Sequence, residues 1–85
     1  LAVLAPEEVK AAQIQATIAR IGAALLEEVF LFDLYTGENI PAGHRSLAFG
    51  LKFRAADRTL QEDEVNALME QIITVLKQEF GAEIR

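Results

Sequence analysis

Residues 46–54 read Ser46-Leu47-Ala48-Phe49-Gly50-Leu51-Lys52-Phe53-Arg54. In an extended chain successive side chains point to opposite sides, so Leu47, Phe49, Leu51 and Phe53 fall on one face. Ser46, Ala48, Gly50, Lys52 and Arg54 fall on the other. A strand with this pattern buries one face in a core and leaves the other uncovered. The fold must therefore contain a sheet packed on one side only.

Working outward, Thr36-Gly37-Glu38-Asn39-Ile40-Pro41-Ala42-Gly43 is dense in turn formers and reads as a loop. Before it, Glu28 to Tyr35 is rich in aliphatic and aromatic residues and reads as a strand. Strict alternation there places Val29, Leu31, Asp33 and Tyr35 on the open face and Phe30, Phe32 and Leu34 in the core. Further upstream, Ala11, Ile14, Ile18, Ile21 and Leu25 recur at spacings of three and four, the stripe of a half-buried helix. Pro6 suits a first helical turn and Glu7 and Glu8 suit the positive end of a helix dipole, so this helix is expected to begin near Pro6 and to end at Gly22. Leu1 to Leu4 is then a short buried strand.

Downstream, Thr59 and Glu62 have the spacing of a capping box, which predicts a second helix from that point. Val65, Leu68, Met69, Ile72, Leu76 and Phe80 form its buried stripe, with Lys77 in the last turn and Gly81 as cap. Ala82 to Arg85 is long enough for a last strand with Ile84 inward. The order β-α-β-β-α-β, with both helices on one face of a four-stranded antiparallel sheet, is the ferredoxin-like α+β sandwich. Residues 1–85 are expected to form one domain whose first strand is truncated at its start, as in a piece of a longer subunit.

Composition narrows the function classes. The chain has no cysteine, which excludes disulfides, thiolate nucleophiles and Cys-based zinc sites, and which fits a reducing cytoplasmic setting. Its apolar runs fall far short of the ~20 residues that span a bilayer, so no membrane partner is expected. There is one histidine, His44, and no phosphate-binding glycine loop or His pair at helical spacing. Catalysis by this chain alone is not expected. His44 reads as a surface loop residue, and Glu62-Asp63-Glu64 as a first-turn acidic run answering the helix dipole.

The net charge of −5 disfavours nucleic acid at first sight, but the charge is unevenly placed. Residues 1–43 hold two bases against six acids and residues 61–85 the same, whereas residues 44–60 hold Arg45, Lys52, Arg54 and Arg58 against Asp57 alone. An unpaired RNA base needs an aromatic plane to stack on, a group to read its edge, small residues that admit it, and cations for the phosphates. Tyr35, Asp33, the small Ser46, Ala48 and Gly50, and the cations Lys52, Arg54 and Arg45 supply these in kind. A carboxylate repels phosphate yet accepts hydrogen bonds from the imino and amino groups of guanine. The competing reading pairs Asp33 with Lys52 or Arg54 and packs the open face on another protein surface. A small-molecule regulatory domain is a third, since the fold does not fix function.

The strings Leu31-Phe32-Asp33-Leu34-Tyr35, Gly43-His44-Arg45-Ser46-Leu47-Ala48-Phe49, Arg58-Thr59-Leu60 and Asp63-Glu64-Val65 closely resemble the ferredoxin-fold anticodon-binding domain at the C-terminus of bacterial phenylalanyl-tRNA synthetase beta subunits. The resemblance covers essentially the whole chain. It implies a non-catalytic module that grips the anticodon stem-loop of phenylalanine tRNA while ATP and magnesium are used elsewhere in the parent enzyme. It implies no cofactor in this domain and, as protein partners, the rest of the beta subunit and the alpha subunit of an alpha2beta2 synthetase. By the same match Tyr35 would stack on the first anticodon base, a guanine, and Asp33 would hydrogen-bond its edge, with Ser46 and Ala2 lining the surface. Two departures stand out. The family's first strand opens with an Arg-Asp pair that has no counterpart here, so the sheet is expected to fray at Leu1. The last strand offers Glu83, leaving Arg85 as its only cation, and both features predict weak binding by the isolated domain.

Overall fold

The computed structural model describes residues 1–55 and 58–84, the side chain of residue 24 excepted. Asp57 and Arg85 lie outside the described residues. The elements are β1 (Ala2–Pro6), α1 (Ala11–Gly22), a short 3-10 turn (Ala23–Leu25), β2 (Leu26–Tyr35), β3 (His44–Phe53), α2 (Glu62–Phe80) and β4 (Glu83–Ile84). One four-stranded antiparallel sheet runs in the order β2-β3-β1-β4. This is the ferredoxin-like βαββαβ arrangement expected from the sequence.

The core lies between one sheet face and the two helices. Val3 and Ala5 of β1 and Leu47 and Phe49 of β3 meet Ile14 and Ile18 of α1 and Ile72 and Leu76 of α2, all fully buried. Arg20 and Glu79 link the two helices at 3.1 Å, and the Gln15 side chain donates to the Val29 carbonyl at 3.0 Å, tying α1 to the edge strand β2. At the far end of α2, Gly81 takes the left-handed conformation (φ 66°) and its N–H returns to the Lys77 carbonyl at 3.0 Å, the cap that its lack of Cβ allows.

Both helix starts differ from expectation. Pro6 ends β1 rather than opening α1. The chain stays tied to the start of β3 through the Glu7 N–H and Gly43 carbonyl (2.8 Å), then turns so that the Val9 N–H meets the Pro6 carbonyl (3.0 Å). Long-range pairing thus outweighs the local helix-start signal of Pro6-Glu7-Glu8. The helix begins only after Lys10, whose N–H donates to the Gln13 side chain at 2.9 Å. In α2 the cap is Gln61, whose N–H donates to Glu64 Oε2 at 2.9 Å, so the box expected at Thr59 sits two residues further on. The expected fraying at Leu1 is also corrected. Its ammonium donates to the Phe49 carbonyl at 3.0 Å and its carbonyl accepts from the Phe49 N–H at 2.8 Å.

The largest correction concerns β2. Cross-strand partners share a face, and the register is Val29↔Leu51, Phe30↔Gly50 and Leu31↔Phe49, then Asp33↔Ala48, Leu34↔Leu47 and Tyr35↔Ser46. Phe32 is the extra residue of a β-bulge. Upstream of it the faces are the reverse of strict alternation: Val29 and Leu31 pack against the core, whereas Phe30 and Phe32 are 43% and 64% exposed. The cause lies in the sequence itself. Val29 and Leu31 share a parity with Asp33 and Tyr35, so an unbroken strand would bury either all four or none. One inserted residue lets the aliphatic pair face the helices while the carboxylate and the phenol face outward.

Candidate nucleic-acid interface

The sheet face away from the helices is built in rows that cross the strands. Ala2, Ala48 and Asp33 form one row, and Leu4, Ser46 and Tyr35 the next. Towards the other end come Gly50 with Phe30, then Lys52 with Glu28. The structure thus brings five expected residues, Asp33, Tyr35, Ala2, Ser46 and Lys52, onto this one face. Asp33 is exposed, has no ion-pair partner among the described residues, and shares its row with two alanines. Tyr35 is 46% exposed and lies at the end of the edge strand. Ser46 differs from the simplest expectation, since it is only 1% exposed and its hydroxyl has no hydrogen-bond partner among the described residues.

The cations divide. Arg45 faces the helix side, opposite buried Ala5, and its guanidinium donates to the Val9 carbonyl. It is therefore absent from the open face, because its parity is that of Leu47 and Phe49. Lys52 and Arg54 both reach Glu27, at 3.7 and 3.4 Å, and not Asp33 as the competing reading expects. Glu27 sits at a second register irregularity of β2, between Leu26 and Glu28. All three side chains are exposed, so these ion pairs contribute little and can be exchanged for other anions at small cost.

The remaining polar candidates also divide. His44 begins β3 opposite Pro6, in the parity of Ser46, so it stands at the end of the open face, where its Nδ1 lies 3.1 Å from the Ala42 carbonyl. The run Glu62-Asp63-Glu64 opens α2, and no cluster among the described residues has the make-up of a metal site. Glu64 accepts from the Arg58 guanidinium and from the Gln61 N–H, which together hold its carboxyl below the usual carboxylate range. Because the folded-state pKa is depressed, this stabilisation is present above the unfolded value and fades as pH falls through the folded one. Arg58→Ala should move the Glu64 carboxyl part of the way back up in an NMR titration, while the Gln61 bond retains the rest.

Sequence reasoning missed Phe30 and Phe32 as surface residues. The signal that reveals them is Gly50, which strict alternation already sets on the open face, where an aromatic ring on the neighbouring strand commonly covers a glycine. A Cβ added at Gly50 would lie 2.4 Å from Phe30 Cζ, so the ring is seated directly on the glycine.

Comparison with known proteins gives the family of the chain. The family model described as "Ferredoxin-fold anticodon binding domain" matches residues 1–85. Curated relatives include the phenylalanine–tRNA ligase beta subunits of Trichormus variabilis (44% identical), Bacillus cereus (41%) and Synechococcus sp. (45%), each aligned over 100% of this chain and 10% of its own length. The chain thus spans about a tenth of the length of these relatives. Fold, register and a match over the whole chain converge, and the chain belongs to the ferredoxin-fold anticodon-binding domain family.

Proposed function

We propose that the chain is the non-catalytic RNA-binding module of a phenylalanine–tRNA ligase beta subunit, and that its open sheet face holds the anticodon stem-loop of phenylalanine tRNA. The observation that carries this reading is the bulge at Phe32. It sets Asp33 and Tyr35 side by side on the uncovered face, above Ala2 and Ala48, against the natural parity of the strand. The Tyr35 ring takes the flat side of the first anticodon base. The Asp33 carboxylate accepts from the imino and amino groups along the edge of a guanine. Adenine offers an acceptor nitrogen where guanine has its imino N–H, so the same carboxylate rejects it. Ser46 supports the floor beneath Tyr35 and meets RNA only when a neighbouring side chain moves aside. Lys52 and Arg54 exchange Glu27 for phosphates.

The relatives' names say beta subunit of a phenylalanine–tRNA ligase, and on the family resemblance the proposal extends to a cytoplasmic parent in which the rest of the beta subunit and an alpha subunit, in an alpha2beta2 assembly, carry out aminoacylation with ATP and magnesium. Among the described residues no helix is long and apolar enough to cross a membrane.

Tyr35 is the only tyrosine and the chain has no tryptophan, so its intrinsic fluorescence reports from the site itself. Titration with a guanine-first anticodon stem-loop should quench that signal, and a stem-loop with another first base should bind more weakly. Asp33→Ala should erase most of the preference, about 1–3 kcal/mol for a base edge read by a paired contact, with less effect on total affinity. Equal affinity of the wild-type chain for both stem-loops would contradict the assignment of Asp33. Concentration-dependent dimerisation with no quenching would favour a protein contact surface, the alternative to which exposed Phe32 and Leu34 on the edge strand lend support.

A further inference from the structure

Two features of the open face lie outside the Asp33–Tyr35 pair. The first is aromatic. Phe30 lies on Gly50 and is 43% exposed, and the Phe32 ring stands beside it with centroids 6.1 Å apart and planes tilted by 53°. An exposed pair of rings on a soluble chain is unusual enough to call for a use. Gly50 is the only residue type that lets a ring settle there, since any Cβ would lift it from the sheet. The second feature is electrostatic. Among the described strand residues Lys52 is the one lysine or arginine on this face, and Arg54 follows just past the strand end. Both lie beyond Phe30 from Tyr35, because Arg45, the cation nearest Tyr35 along β3, is turned to the helix side.

These two features fit one path. Ser46 opposite Tyr35 and Gly50 opposite Phe30 are four residues apart, about 13 Å at the rise of a strand. That exceeds the ~3.4 Å between stacked neighbours in a nucleic-acid strand, so both rings can be occupied only by bases splayed from their stack. An RNA chain with one base on Tyr35 and phosphates at Lys52 and Arg54 must cross Phe30.

We propose that Phe30, seated on Gly50 and flanked by Phe32, is a second base-stacking platform that takes another unpaired base of the same RNA loop. The inference rests on the anticodon reading given above and assigns that site a second contact. Glu27, which neutralises Lys52 and Arg54 in the free chain, is displaced when phosphates arrive.

The test uses the 85-residue chain, its Phe30→Ala, Phe30→Leu and Tyr35→Ala variants, and guanine-first stem-loops made abasic at each loop position in turn. Phe30→Leu keeps the apolar cover on Gly50 but removes the aromatic plane. Both Phe30 variants should bind the intact stem-loop about five- to a hundredfold more weakly while keeping the preference for guanine. Their deficit should vanish against the stem-loop abasic at one position other than the first. Wild-type affinity in Phe30→Leu, or a deficit that vanishes only at the first position, would overturn the platform. If Tyr35→Ala weakens binding and Phe30→Ala does not, the platform fails and the anticodon reading stands. If neither weakens binding, the reading beneath it fails as well. A fall in self-association by Phe30→Ala, with RNA binding intact, would instead make the ring pair a protein contact.

Discussion

Phe49→Ala should cost about 3–5 kcal/mol of folding stability, whereas Phe32→Ala, seventeen residues earlier, should cost less than about 1 kcal/mol. Phe49 heads the fully buried side chains and sits in β3, between β2 and β1, in the core cluster that also holds residues of both helices. Its removal leaves a cavity that surrounding strands cannot close without breaking register. Small domains have only ~5–15 kcal/mol in hand, so the variant should show a sharply lowered urea midpoint or no cooperative transition. Phe32 is the bulge residue and is 64% exposed, so little packing is lost with it. The contrast tests the bulge directly, because unbroken alternation would bury Phe32 and make both substitutions severe. Equal destabilisation in urea melts would refute the register described for β2.

The second large effect concerns binding. Tyr35→Ala should weaken association with a guanine-first anticodon stem-loop by about 1–3 kcal/mol, the usual loss for one stacked base. The ring is 46% exposed at the end of an edge strand, so its loss should leave the fold intact and the urea midpoint close to wild type. Tyr35→Phe should retain most of the affinity, since the stacking plane survives. A labelled stem-loop at low salt provides the measurement, and unchanged affinity in Tyr35→Ala would exclude stacking at this residue. Raising the salt should weaken wild type and variant in parallel, because the proposed binding mode gives the phosphates to Lys52 and Arg54 rather than to Tyr35.

The sequence was most informative where one strong pattern had no competitor. Residues 46–54 alternate without exception, and β3 has one buried and one open face as a result. The stripes of α1 and α2 and the glycines that end them were legible for the same reason. Helix starts were not, because Pro6-Glu7-Glu8 and Thr59-x-x-Glu62 carry good local signals that strand pairing and a competing cap at Gln61 override. In β2 an almost continuous apolar run fits either parity, and the sequence contains no turn residue to announce the bulge. Asp33 and Tyr35 lie on the open face as strict alternation predicts, although the residues before them lie opposite to it. Their polarity determined their own side, and one inserted residue reconciled them with Val29 and Leu31. Arg45 departs from expectation because a basic segment suggests a shared surface, while strand parity separates its members. Phe30 was missed because a phenylalanine in a strand is ordinarily core, and only its pairing with Gly50 shows otherwise.

Reception of RNA by one open face, assembled by the Phe32 bulge, is open to direct observation by NMR titration of the isotopically labelled chain with the guanine-first stem-loop. Backbone shifts should concentrate at Ala2, Phe30, Asp33, Tyr35, Ala48 and Lys52, while α1, α2 and the Arg45 guanidinium on the far side stay still. Shifts confined to the helices, or none at stem-loop concentrations well above those of the protein, would contradict it.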